Sequence, residues 1–243
     1  MIHVVCLKWG KKYDVEYVNR LYAMAQKNLT APFEFHCLTE DSQGIRSEIV
    51  IEPLPDEGLH AWWYKLLIFK KDFLGFSNRD KILFLDLDII ILSSLDPLIS
   101  YSDEFCISAD TAAHNYNSSV MCFFANQYSY IWESFIAQKD HIMNTYHGDQ
   151  DWIEHIYQTA VVFPKSIVKS YKTDLDSKTP YSFGVVGRFL RSRFKGLLPK
   201  GIVEKPTDAA IVLFHGKPDP VDVMDGPYDK YKEAPWIKDA WEK

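Results

Sequence analysis

The stretch that most constrains this chain is Lys81-Ile82-Leu83-Phe84-Leu85, followed without a break by Asp86-Leu87-Asp88. A run of apolar residues this short and uninterrupted reads as a central strand, buried on both faces in a sheet covered by helices. Ending such a strand in two aspartates creates an electrostatic problem. In extended backbone, residues two apart point to the same side. Asp86 and Asp88 therefore aim at one point and Leu87 points away. Two carboxylates that close repel, and ionising both at the end of a buried strand is costly. A divalent cation removes the problem, because Mg²⁺ and Mn²⁺ take oxygen ligands and Mg²⁺ is often held by one or two carboxylates plus substrate phosphates. The plainer alternative is that one aspartate caps a turn and the other is solvated.

The flanking sequence supplies the rest of an α/β domain. Ile2 to Leu7 reads as a buried first strand, with Lys8-Trp9-Gly10 at its carboxyl end. Asp14 caps a helix whose apolar positions Val15, Val18, Leu21, Tyr22 and Ala25 share a face. Phe33, Phe35 and Cys37 alternate into a second strand ending in Thr39-Glu40-Asp41, and Ile49 to Leu54 makes a third. Trp62 to Phe73, Tyr128 to Gln138 and Asp149 to Gln158 read as helices. Ile89 to Leu92 continues extended, Phe105 to Ala109 and Val120 to Ala125 are further strands, and Ala209 to Phe214 is a last one, ending at His215-Gly216. Alternating strands and helices predict a Rossmann-like, mainly parallel sheet flanked by helices, which binds ligands beyond the carboxyl ends of its strands.

At 243 residues with 47% hydrophobic side chains, the chain suits one domain over 1–243. A net charge of −6 argues against a general nucleic-acid binder. Cys6, Cys37, Cys106 and Cys122 form no CxxC pair and sit in strand-like runs, so buried free thiols and a reducing compartment are expected. Neither a signal peptide nor a spanning apolar run is recognisable, and the expected location is cytoplasmic.

Beyond the paired aspartates, Asn117-Ser118-Ser119-Val120-Met121, Asp149-Gln150-Asp151 and His215-Gly216-Lys217-Pro218 follow in order. Together these stretches resemble glycosyltransferases of the A-type fold, and among them the glycogenin and lipopolysaccharide galactosyltransferase group, glycosyltransferase family eight. The resemblance implies a hexosyltransferase that takes its sugar from a UDP-sugar with retention and passes it to a glycan or glycolipid. It implies Mn²⁺ (or Mg²⁺) held by Asp86, Asp88 and His215. It gives Lys217 a diphosphate contact, although the spacing from Gly216 is shorter than the family's. It places Asn117 and Ser118 on the donor sugar, and Asp149 and Gln150 at its reacting end. Ser118-Ser119 replaces small residues that include a glycine in the family.

Read from the residues alone, His215 suits a capped strand end as well as a metal, and Asp149 suits a helix N-cap as well as catalysis. Gly216 lets backbone approach a phosphate. Lys8 lies at the mouth of the first strand, Lys65 at the start of a helix within reach of a phosphate, and Asp41 where a ribose or base contact is common. Two rival functions use the same aspartates: a phosphatase or nucleotidyltransferase, and a sugar-nucleotide-binding protein without turnover. Phosphatases of the haloacid-dehalogenase type carry Thr or Val two residues after the second aspartate, on an early strand; here Ile90 stands there, after some 80 residues.

A basic, amphipathic segment spans 178–205. Lys178, Arg188, Arg191, Arg193, Lys195 and Lys200 are interleaved there with Phe183, Phe189, Phe194 and Leu197. It reads either as a solvated surface helix or as a face for an anionic acceptor or the inner membrane surface.

Overall fold

The computed structural model describes residues 1–110, 116–176, 184–194 and 201–241. Its strands are β1 (Ile2–Lys8), β2 (Phe33–Thr39), β3 (Val50–Pro53), β4 (Lys81–Leu85), β5 (Ile89–Ile91), β6 (Cys106–Ala109), β7 (Tyr116–Phe124), β8 (Val161–Val162), β9 (Val168–Ser170) and β10 (Ile211–Leu213). The helices are α1 (Val15–Asn28), α2 (Asp96–Ile99), α3 (Ser129–Ala137), α4 (Lys139–Thr145), α5 (Asp149–Ile156), α6 (Gly184–Arg193), α7 (Pro220–Met224) and α8 (Trp236–Trp241).

Seven strands form one sheet in the order β3-β2-β1-β4-β7-β6-β8. β3, β2, β1 and β4 run parallel, β7 runs against both β4 and β6, and β8 is parallel to β6. One strand against the rest makes the sheet mainly parallel, as expected. Alternation along the central strands divides the core in two. Val4, Cys6, Leu83 and Leu85 pack on the face covered by α1 and α8. Val5, Leu7, Ile82 and Phe84 pack with Trp63, Phe135 and Trp152 on the other. α1 starts where expected, with the Asp14 carboxylate accepting from Glu16 N at 3.0 Å, a cap worth about 1 kcal/mol. All four cysteines are buried and free.

Three differences from the sequence-based expectation matter for the site. Strands β5 and β10 do not extend the main sheet. With β9 they form a second, three-stranded sheet in the order β5-β10-β9, which delivers the chain end after β10 back beside β4. The expected helix over Trp62–Phe73 is a 3₁₀ segment over Ala61–Phe69, followed by a break in which Asp72 and Leu74 are left-handed. β7 begins at Tyr116, four residues before the expected start, because its first turn of sequence is polar and hides the pattern. The register between β6 and β7 shifts at Ile107/Ser108, from Ile107 opposite Met121 to Ser108 opposite Asn117. The surplus residues Ser118, Ser119 and Val120 form a bulge.

No helix among the described residues is long and apolar enough to cross a membrane. The basic segment contains α6, with Val186, Phe189 and Phe194 exposed. Lys178, Phe183, Lys195, Leu197 and Lys200 lie outside the described residues.

Candidate functional site

A cleft of about 310 Å³ opens at the carboxyl end of β4. Asp86, Asp88, Asn117, Ser118, Asp149, Gln150, His215 and Gly216 all line it, together with Lys65 and Trp62. Asp86 and Asp88 follow β4 directly and both face the cleft, whereas Leu87 is buried in the core. Burial, and secondly the Asp86 charge, push the Asp88 carboxyl up to about 7, while a hydrogen bond from Tyr13 opposes the rise. Tyr13 donates that bond to Asp88 Oδ2 at 2.7 Å.

The β7 bulge aims the polar start of that strand at the same point, a use to which bulges beside active sites are often put. Ser119 O accepts from Asp86 N at 2.9 Å. Asn117 Oδ1 accepts from Ser119 N at 3.0 Å, and Asn117 O accepts from Ser108 Oγ at 2.7 Å. The Asn117 side chain thus stiffens the bulge as well as facing the cleft.

Lys65 is buried and central. Its Nζ lies 3.1 Å from Asp86, 3.1 Å from Ser118 Oγ and 3.5 Å from Asp149 Oδ2. Burial lowers its pKa, but Asp149 first and then Asp86 outweigh that, so the net direction is upward and the ammonium is retained. Lys65 therefore serves as a fixed counter-charge for two carboxylates rather than as a side chain reaching outward.

Asp149 is the first residue of α5, not its N-cap. Gly148 holds the cap position, and Asp149 is buried against Lys65. Burial raises its pKa against the opposing effect of Lys65. Asp149 Oδ2 makes no hydrogen bond of good geometry, its contact to Lys65 Nζ being 3.5 Å, although Ser118 and Lys65 both act on the carboxylate. A buried carboxylate oxygen left in this way is poised for a donor from a ligand. Gln150 is fixed at both ends of its amide: Nε2 donates to Asp110 Oδ2 at 3.0 Å and Oε1 accepts from Ser118 N at 3.3 Å.

His215 is brought to the cleft by the second sheet. Its Nε2 pairs with Ser170 Oγ of β9 at 2.9 Å, and Lys172 donates to its carbonyl. His215 shares the cleft with Asp86 and Asp88 without closing on them: no ligand atoms of the three are gathered within 4.8 Å of one another. The two carboxylates fit a hard divalent cation by their oxygen donors, and such a cation would offset the burial and the Asp86 charge that push the Asp88 carboxyl up.

The remaining expected contacts lie elsewhere. Lys217 pairs with Asp219 at 2.9 Å and Asp222 at 2.8 Å, in the capping box of α7, and those bonds raise its pKa. Lys8 is buried, and Asp41 is exposed, where its carboxylate accepts from Gln43 N at 3.0 Å. Neither lines the cleft or the recesses beside it.

The aromatics at Trp62-Trp63-Tyr64 suggest core or an acceptor platform in the sequence, but Tyr13 and the meeting of Trp62 with Trp9 went unread. Trp9 meets Trp62 edge to face, and Trp62 stacks on His147 at 5.7 Å. Trp9, Lys12, Tyr13 and Trp62 line an adjoining recess of about 360 Å³ that shares Asp86 and Asp88 with the cleft. Trp9 beside a strand end was the available signal; nothing in the sequence pairs Tyr13 with Asp88.

No protein-family model and no curated protein matches the sequence. Solved structures do. The galactosyltransferase LgtC, determined in complex with donor and acceptor sugar analogs, aligns at a TM-score of 0.56 over 90% of this chain and 88% of its own, at 14% identity. An active-site Gln-to-Glu mutant of LgtC aligns at 0.56 and 13% identity, over 90% and 89%. The glycosyltransferase GlyE of Streptococcus pneumoniae TIGR4 aligns at 0.58 and 13% identity, over 90% of this chain, which spans 56% of GlyE. At such identities the likeness is one of architecture: this chain has the A-type glycosyltransferase fold, with the sheet order and the cleft described above.

Proposed function

We propose that the protein is a metal-dependent glycosyltransferase that moves a hexose from a nucleotide-sugar, most simply a UDP-sugar, to a glycan or glycolipid. The observation that carries this reading is the convergence of Asp86, Asp88, Asn117, Asp149, Gln150 and His215 on one cleft, with a buried Asp149 oxygen left for a ligand donor. Asp86 and Asp88 would hold a divalent cation, Mn²⁺ or Mg²⁺, with His215 beside them, and such an ion would supply positive charge for the leaving diphosphate. The nucleotide occupies the aromatic recess of Trp9, Tyr13 and Trp62, where a base has rings to stack on.

Asp149 accepts from a sugar hydroxyl, and Lys65 opposes the rise that burial gives its pKa and holds the carboxylate in place. Gln150, clamped by Asp110 and Ser118, presents its amide to the anomeric end. In a retaining transfer the bond from the anomeric carbon to the diphosphate oxygen breaks, and the acceptor oxygen bonds on the same face. The acceptor's proton passes to the departing phosphate, so no additional protein base is required. The exposed apolar side chains of α6 favour a glycolipid among acceptors.

The test is UDP release from a panel of UDP-sugars with Mn²⁺, run beside phosphate release from monoesters. The proposal expects UDP release, and a Gln150→Ala variant with turnover lowered at least tenfold and UDP affinity nearly unchanged, since an interaction made mainly in the transition state appears in kcat. Phosphate release from monoesters alone would make the site a phosphatase, and nucleotide-sugar binding without release would make it a sensor.

A further inference from the structure

At the amino-terminal end of the sheet, away from the cleft, three ligand atoms converge. His3 Nδ1 lies 3.1 Å from His36 Nε2 and 3.3 Å from Glu34 Oε2, and His36 Nε2 lies 3.7 Å from the same Glu34 oxygen. Among the described residues this is the group of three His, Cys, Asp or Glu side chains whose ligand atoms all fall within 4.8 Å of one another. The backbone explains the convergence. His3 and Glu34 are partners in the parallel pairing of β1 with β2, and Glu34 and His36, two apart, share a face of β2.

The spacing is that of a coordination shell. Nitrogen and oxygen ligands about 2.0–2.2 Å from a tetrahedral ion lie about 3.3–3.6 Å from one another. The three separations here scatter around that figure.

The outer nitrogens strengthen the case. His36 Nδ1 faces Glu52 Oε1 at 3.1 Å, and His3 Nε2 faces Asp80 Oδ2 at 3.6 Å. The Glu52 carboxylate fixes the proton on the far nitrogen of His36, which is how metal-ligating histidines are usually held; Asp80 stands farther from His3 and also accepts from Ser77 N at 2.8 Å and from the N-terminus at 2.9 Å. With Nδ1 of His36 protonated on Glu52, its Nε2 turns a lone pair toward His3 Nδ1 and the Glu34 carboxylate, and the His3 tautomer protonated at Nε2 does the same. Three acceptors facing one another are satisfied by a cation at their centre.

Both imidazoles are buried, with His3 stacked on Phe76 at 3.7 Å, while Glu34 is exposed. The rings are therefore fixed and the third ligand stands at the solvent edge, where an ion enters. We propose that His3, Glu34 and His36 form a binding site for a zinc-class divalent ion, with solvent as fourth ligand. The nitrogen-rich set selects Zn²⁺ over the Mg²⁺ or Mn²⁺ suited to Asp86 and Asp88. The ion ties β1 to β2 at the end of the sheet that the substrate cleft does not use.

The site is tested with Zn²⁺ alone, by competition against a chromophoric chelator, on untagged, metal-stripped protein carrying Asp88→Asn to silence the cleft. One tight equivalent is expected. His36→Gln should lose it, and Glu52→Gln, which removes only the outer partner, should weaken it about 10–100-fold. Glu34→Ala, a change at an exposed side chain, keeps the test valid if His36→Gln does not fold, and it too should weaken binding at least tenfold. Co²⁺ in place of Zn²⁺ should give intense tetrahedral visible bands. No tight equivalent, equal affinity in Glu34→Ala, or only weak octahedral Co²⁺ bands would overturn the proposal and leave a shared proton between the histidines.

Discussion

Asp88 shows how a single residue reports on the site. Its carboxyl titrates near 7 in the folded chain against 3.8 as an ordinary aspartate. Between those values the folded chain keeps a proton that the unfolded chain gives up. Stability therefore falls as pH rises through that window, and the cost is fully present above about pH 7. Each pH unit of the gap is worth about 1.4 kcal/mol, so a gap of about three units makes the cost at pH 8 on the order of 4 kcal/mol. Asp88→Asn removes the charge while leaving an oxygen for the Tyr13 hydroxyl. In metal-free urea unfolding, the variant should gain on the wild type by that order between pH 4 and pH 8. A difference that does not change with pH would mean that the Asp88 carboxylate is not crowded. Asp149 makes the complementary point. In sequence it fits a helix cap as well as a catalytic role, and only its position one residue inside α5, against Lys65, separates the two.

At the scale of elements, the site depends on how α5 enters the cleft. A Cβ on Gly148 would lie 2.7 Å from Trp62 Nε1, which donates to His147 O at 3.2 Å. The backbone at Gly148 is extended and open to any residue, so the constraint is the tryptophan alone. Gly148→Ala should cost about 1–3 kcal/mol through overpacking and lower turnover by moving Asp149 and Gln150. Adding Trp62→Ala should recover much of the stability loss. Stability losses that simply add in the double variant would show that the two residues do not meet.

Much at this scale was legible. β1, β2, β4 and α1 follow from apolar period and a capping aspartate, and the strand-end aspartates follow from spacing. The β7 bulge was not legible, because Asn117-Ser118-Ser119 breaks the alternation that marks a strand. Nor was β9, whose Ser170 fixes His215, because three residues carry too little pattern. Lys65 was seen, but its role was not: a pairing with two carboxylates from distant segments belongs to the tertiary structure.

Across the whole molecule, two sheets cooperate. The seven-stranded sheet supplies Asp86 and Asp88 from β4 and the bulged start of β7, and the three-stranded sheet returns His215 and Gly216 to the same cleft. The account's central claim is that this meeting point holds a divalent cation together with a nucleotide diphosphate. Calorimetric titration of UDP into wild type and Asp88→Asn, each with and without Mn²⁺, tests it most directly. Coupled binding in the wild type that requires Mn²⁺, and its loss by at least tenfold in Asp88→Asn, is the predicted result. UDP affinity that is indifferent to Mn²⁺, or identical in the two proteins, would contradict it.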